Sequence, residues 1–311
     1  MGLLNIDLSY LLDASARAVR FGETLTIGRV HVFMWNWEVA QQIQRFRRPE
    51  LANRWLEGRD PLDPTRGFAE LLFQALGADR VDSLDYCSFE GCSIVHDLNV
   101  QIPAAYRERY DLVYDTGTTE HVFNYPQCLK NCMEAVRVGG TLILSTPMNN
   151  YSGHGFYSIS PELFYRVLAP ENGFELVNLV AFPAFIGDAR GYRIPDPAVV
   201  NERVQFNAPW PTLMIVEARR TAVCEIFRTW PKQSDYEAVW SSPERIRQWN
   251  NPDPATQSLH RRKAITRLIN TWPALRIWRE KRRNHRVRER WEKYARTVGR
   301  LEPYLYHWEQ H

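Results

Sequence analysis

Near neutral pH the side chains able to move protons or hold ligands are carboxylates and imidazoles, and in this chain they gather at a few turns. Glu120-His121 comes shortly after an apolar run at 110–114 and its polar stop, Asp115-Thr116-Gly117. A histidine so placed could be the general base for a substrate hydroxyl, or it could start a helix and hydrogen-bond its own loop. Further on, NNYSGHGFYSIS (149–160) crowds His154 and Tyr157 around Gly153 and Gly155. Such a loop suits substrate contact, although its aromatics could equally cover a helix, and His154 or Tyr157 is expected to touch substrate. Asp85 closes VDSLD before Tyr86, and Asp97 stands between His96 and Leu98. In an open parallel sheet an acid after the second strand accepts hydrogen bonds from ribose hydroxyls, which is the task expected of Asp85. His96, His121 and His154 have no local ligand spacing, so no metal site is expected.

These residues need a frame. The stretch 110–150 reads as strand, loop, helix, turn and strand: apolar residues at 128, 129, 132, 133 and 136 give one helical stripe, Gly139-Gly140 ends it, and 141–146 is a continuous apolar run closed by Pro147. Before it, the spacing predicts an amphipathic helix over 3–19, a first core strand over 24–30, a short helix over 67–76, and strands over 80–85 and 93–97. After it come a helix opened by Ser160-Pro161-Glu162, a strand over 174–182 and another over 212–218. Helices alternating with short buried strands indicate an α/β, doubly wound, mostly parallel sheet.

The run YDLV, EHV, a helix, GG and LILSTP resembles, in order and spacing over about 77–220, the class I S-adenosylmethionine-dependent methyltransferases. The resemblance implies a seven-stranded Rossmann-like sheet with a last antiparallel strand, S-adenosylmethionine as cofactor, and methyl transfer to a small molecule or glycan intermediate, at oxygen rather than carbon. It implies that Asp85 and Tyr86 face the ribose, Asp97 and Leu98 the adenine, and Asp115 and Gly117 the methionine end. The chain departs from the family at the first strand, where TLTIGRVHVF carries one glycine in place of GxGxxG. Gly28 and Arg29 then stand at the methionine end, with Arg29 offered to the cofactor's carboxylate. The alternative is a methyltransferase-like binding or assembly module without catalysis.

The chain of 311 residues divides into a Rossmann-like domain (1–220, with insertions at 31–66 and 183–211), a linker-like region (221–258) and a basic helical tail (259–311). From Leu259 onward fifteen Lys and Arg face five Asp and Glu, so the net charge of +3 conceals an acidic body. The tail is either a solvated helix pair or a contact for anionic lipid, the second placing the protein at the inner face of a membrane; no nucleic-acid motif accompanies its charge. Five cysteines without metal or disulfide spacing fit a reduced, cytoplasmic setting, and no secretory leader is expected. Oligomeric state is not legible.

Overall fold

The computed structural model describes residues 2–57, 59–62, 67–184, 191–200, 204, 206, 211–250 and 305–306. The tail at 259–311 falls, but for those last two residues, outside the described residues, as do 185–190, 201–203, 205 and 207–210 of the insertion expected at 183–211. In chain order the first half comprises β1 (Gly2–Leu3), α1 (Asn5–Ala16), β2 (Gly22–Ile27), β3 (His31–Val32), α2 (Asn36–Arg45), α3 (Pro49–Leu56), α4 (Glu70–Ala75), β4 (Ala78–Asp85) and β5 (Ile94–Val95). The second half comprises β6 (Tyr110–Thr116), α5 (Tyr125–Ala135), β7 (Val136–Asn149), α6 (Pro161–Val167), β8 (Phe174–Pro183), β9 (Gly191–Arg193), α7 (Pro197–Val200), β10 (Thr212–Arg220), α8 (Ser234–Trp240) and α9 (Pro243–Asn250).

Eight of these strands form one sheet in the order β5-β4-β2-β6-β7-β10-β8-β9. Neighbours from β5 to β7 are parallel, and β10 runs antiparallel to both β7 and β8. β9 adds an eighth strand, antiparallel to β8, to the seven expected. Alternate residues feed two cores, as the two-residue period of a strand requires. On one face Val113, Leu142, Leu144, Met214 and Val216 meet α5 and α6 through Cys128, Cys132, Met133 and Phe164. On the other, Leu112, Tyr114, Ile143 and Ile215 meet Leu8, Leu11, Val39, Trp55 and Phe73.

The helix expected over 3–19 is shorter and is buried on nearly every side rather than amphipathic. The reason lies in the insertion: Ser9 Oγ on α1 meets Gln42 Oε1 on α2 at 3.2 Å, and Val39, Ile43, Ala52 and Trp55 share its core. The insertion is thus an outer cover for α1. The helix over 126–138 also ends early, at Ala135, and Gly139-Gly140 lies inside β7 instead of closing the helix. A Cβ on Gly140 would stand 2.8 Å from Tyr110 O and 2.9 Å from Asp111 O, so only glycine lets the two strands approach there. Pro147 does not close β7 either; it pairs with Leu213 beside a register shift, and its carbonyl accepts from Ile159 N at 2.9 Å.

Of the region expected to be linker-like, residues 221–231 pack against the sheet domain. Thr221 N donates to Gly173 O at 2.8 Å, Ile226 is buried in the α5 core, and the first compact unit extends to Pro231. Arg220, 2% exposed, donates to the carbonyls of Glu134 (3.1 Å) and Val136, closing the C-terminal end of α5 with a positive charge. The second unit begins at Lys232, and its described part is α8 and α9, with Tyr236 and Trp240 stacked at 5.7 Å. No helix of the described residues is long and apolar enough to cross a membrane.

Candidate functional site

The carboxyl ends of β2, β4, β5, β6 and β7 point to one edge of the sheet, where order reverses between β2 and β6. That crevice is where open α/β sheets bind ligands. Asp115, fully buried at the end of β6, accepts from Thr118 N (3.0 Å), Thr119 N (3.4 Å) and Thr119 Oγ1 (2.7 Å). These bonds fold the chain after β6 into a tight loop through Gly117, whose φ is +84°. Thr118 Oγ1 reaches across to Ile27 O at 2.7 Å, locking this loop to the end of β2. Burial raises the Asp115 carboxyl above its ordinary range, against the pull of the threonine donors.

The same loop carries Glu120 and His121 in a single 3₁₀ turn. Glu120 is buried completely, although it lies on a loop. Its Oε1 is 3.2 Å from His154 Nε2, and its Oε2 has no hydrogen-bond partner among the described residues. Burial, followed by the charge of Asp115, pushes the Glu120 carboxyl up to about 8. The His121 ring packs edge-on against His154 at 4.9 Å, and burial and then its neighbour lower its pKa.

The loop after β7 covers this group because Gly155 allows it. Phe156 N donates to Glu120 O at 2.8 Å, and at Gly155, where φ is +68°, a Cβ would stand 2.8 Å from Glu120 Cγ. Gly155→Val is therefore expected to cost about 1–3 kcal/mol and to separate His154 from Glu120. Denaturant melts and the histidine ring signals in NMR check it; unchanged His154 signals would sink it.

The structure brings together Asp115, Gly117, His121 and His154 from the expected residues. Tyr157 is nearby, and its hydroxyl donates to Phe123 O at 2.7 Å, tying the two loops. Asp85 lies at the end of β4 and accepts from Tyr86 N (2.6 Å) and weakly from Arg29 N (3.4 Å), while the Tyr86 ring is exposed. Asp97 follows β5; hydrogen bonds from Asn99 N (2.8 Å) and Nδ2 (2.7 Å) hold its pKa below the usual range, and Leu98 is core. His96 stands apart, 3.4 Å from Val100 O.

Gly28 has φ +75° and donates to Leu84 O at 2.7 Å, a turn that glycine permits at the exit of β2. Arg29 is engaged within the protein. Its Nε meets Glu70 at 2.7 Å, its Nη1 donates to Glu90 O at 2.6 Å, and its guanidinium lies 3.8 Å over the Phe68 ring. Thr118 and Asn99 join the candidate site without having been singled out in the sequence, and Glu120 was noted there without a role of its own. Glu120 alone left a signal, since it precedes His121 in the motif, yet nothing in the sequence marks it as buried.

Numbered along the chain, the seven principal strands run 3-2-1-4-5-7-6 with the seventh antiparallel, which is the Rossmann-like fold of class I S-adenosylmethionine-dependent methyltransferases. No family model matches the chain, and no curated protein matches it. Among solved structures it is similar to a putative methyltransferase from Bacillus halodurans, at 13% identity over 70% of this chain and 100% of that one, with a TM-score of 0.37. It is similar to the 1,6-didemethyltoxoflavin-N1-methyltransferase of Burkholderia thailandensis, solved with S-adenosylhomocysteine, at 15% over 69% and 77%, TM-score 0.36. The N-methyltransferase NodS of Bradyrhizobium japonicum, also with S-adenosylhomocysteine, gives 12% over 69% and 86%, TM-score 0.35. At such values no residue of those proteins is set against a residue of this one.

Proposed function

We propose that the protein binds S-adenosylmethionine at the carboxyl edge of β2, β4, β5 and β6 and methylates an oxygen of a small molecule or glycan intermediate. The observation that carries this reading is the convergence, at the switch point of the sheet, of strand-end acids with a buried glutamate and its exposed histidine partner. Asp85 and Asp97 fit the adenosine end, each with carboxylate capacity beyond the bonds it already accepts. Gly28 and Gly117, both at positive φ, let backbone come close at the methionine end. Bound there, the cofactor supplies an electrophilic methyl group on a positively charged sulfur. His154, oriented through Nε2 by Glu120, offers its other ring nitrogen to a substrate hydroxyl, with His121 beside it as the second acceptor. The exposed Phe123–Phe156 pair, 5.9 Å apart, gives a small molecule or sugar an apolar face to rest on, and alignment supplies most of the acceleration.

Calorimetric titration with S-adenosylmethionine is the test. Binding is expected in the native protein, and Asp85→Ala is expected to weaken it roughly 10- to 100-fold, the worth of a hydrogen bond to a charged group. No heat and no thermal stabilisation at millimolar cofactor would overturn the reading. The second reading, a binding or assembly module without catalysis, is favoured by the exit of β2, where Thr118 Oγ1 would lie 2.5 Å from a Cβ on Gly28 and Arg29 is held by Glu70 and Glu90. It predicts that result.

A further inference from the structure

We infer that Glu120, His121 and His154 form a binding site for one divalent transition-metal ion of the zinc class, with three protein ligands and an open position toward the loop mouth. The donor atoms of the three side chains lie within 4.8 Å of one another. They come from two loops, after β6 and after β7, so the site exists only once the strands are paired. Two imidazoles and one carboxylate make up a ligand set that zinc and its neighbours accept, with metal–ligand distances of about 2.0–2.2 Å. Tetrahedral geometry at those lengths puts ligand atoms roughly 3.3 Å apart. The separation between Glu120 Oε1 and His154 Nε2 is 3.2 Å. His154, 44% exposed, and His121, also exposed, can turn inward, whereas Glu120 is fixed by burial.

Independent of the spacing is the state of Glu120. Its side chain is wholly buried on a loop, Oε2 has no partner among the described residues, and the nearest other acid, Asp115, spends its oxygens on Thr118 and Thr119. A buried carboxylate oxygen without a partner is costly, and a cation beside it removes the cost. The hydrogen bond to His154 satisfies one oxygen only. A metal ion bridging Glu120 to both rings satisfies the carboxylate and holds the Gly155 loop against the β6 loop. Three protein ligands leave a coordination position, as zinc enzymes do for water or substrate, and a hydroxyl bound there is more acidic. That last use rests on the methyltransferase reading above; metal binding does not.

The full chain, stripped with chelator, is titrated with Zn²⁺ in a calorimeter and with Co²⁺ by its visible absorption. One ion per chain is expected, with a Co²⁺ spectrum of low coordination number. His121→Ala and His154→Ala, both at exposed positions, are each expected to keep the native melting temperature and to lose roughly tenfold or more in affinity. Glu120→Gln is expected to abolish the Co²⁺ spectrum. Asp85→Ala should keep Zn²⁺ binding, and the native protein should give its S-adenosylmethionine heat without metal, so the two proposals fail separately. No Zn²⁺ binding at about 0.1 mM protein, or one ion bound equally by the double variant lacking both histidines, overturns the site.

Discussion

Glu217→Ala is expected to lower the unfolding free energy by about 3–5 kcal/mol, the range measured when one partner of a buried ion pair is removed. Glu217, on β10, is 2% exposed and receives Arg17 through Nη1 (2.9 Å) and Nη2 (2.7 Å) and the Tyr10 hydroxyl at 2.6 Å. Arg17 in turn holds the buried Asp13 at 2.9 Å. The acid's removal takes an acceptor from the guanidinium, which keeps Asp13, and one from the Tyr10 hydroxyl, while nothing apolar replaces the lost volume. A chain this long loses about 2–4 °C per kcal/mol, so the melting temperature should fall by on the order of 10 °C. Most of the loss is the cost of buried donors losing their acceptor rather than the worth of the pair. Glu217→Gln, which keeps an acceptor oxygen and nearly all of the volume, is therefore expected to be less destabilised than Glu217→Ala. A glutamine variant at least as unstable as the alanine one would overturn this account.

Asp7→Asn is expected to stabilise the protein at pH 7.5 and to have little effect near pH 4. Burial raises the Asp7 carboxyl to about 6 from 3.8, although the Leu4 N–H at 2.9 Å and nearby hydroxyls of Ser145 and Thr116 pull it down. Between those two values the folded protein keeps a proton that the unfolded chain has released. Stability is therefore full below about pH 4, falls as pH rises to about 6, and is level above. The shift amounts to about 3 kcal/mol at its upper bound. Asparagine keeps an acceptor for Leu4 and has no charge to desolvate. Denaturant midpoints at pH 4 and 7.5 decide the matter: an equal effect of the substitution at both would mean the carboxyl does not titrate in this window.

The main elements were legible because strands covered on both faces read as unbroken apolar runs, and 110–116 and 141–146 are such runs. Their boundaries failed where backbone geometry outvoted local type. Gly139-Gly140 reads as a helix end, but what demands glycine is the carbonyls of Tyr110 and Asp111, contributed by another strand. The site was legible in kind and not in pairing. Asp85, Asp97 and Asp115 announce themselves by closing strands, whereas the partners of Arg29 come from residues 68, 70 and 90, and no spacing connects them. The burial of Glu120 follows from Gly155 lying across it, a contact between loops that only the paired strands bring together.

The position of β10 governs how this chain can be assembled as it is made. β8 touches β7 only through β10, which is synthesised after both and slots between them. Until residues 212–220 have left the ribosome, β7 presents an open edge of fourteen residues and β8 has nowhere to dock. The loops after β6 and β7 are complete by then, but the sheet that fixes them is not. A nascent or truncated chain lacking β10 is consequently a species with a long, apolar, unpaired strand, the form most prone to join another copy of itself.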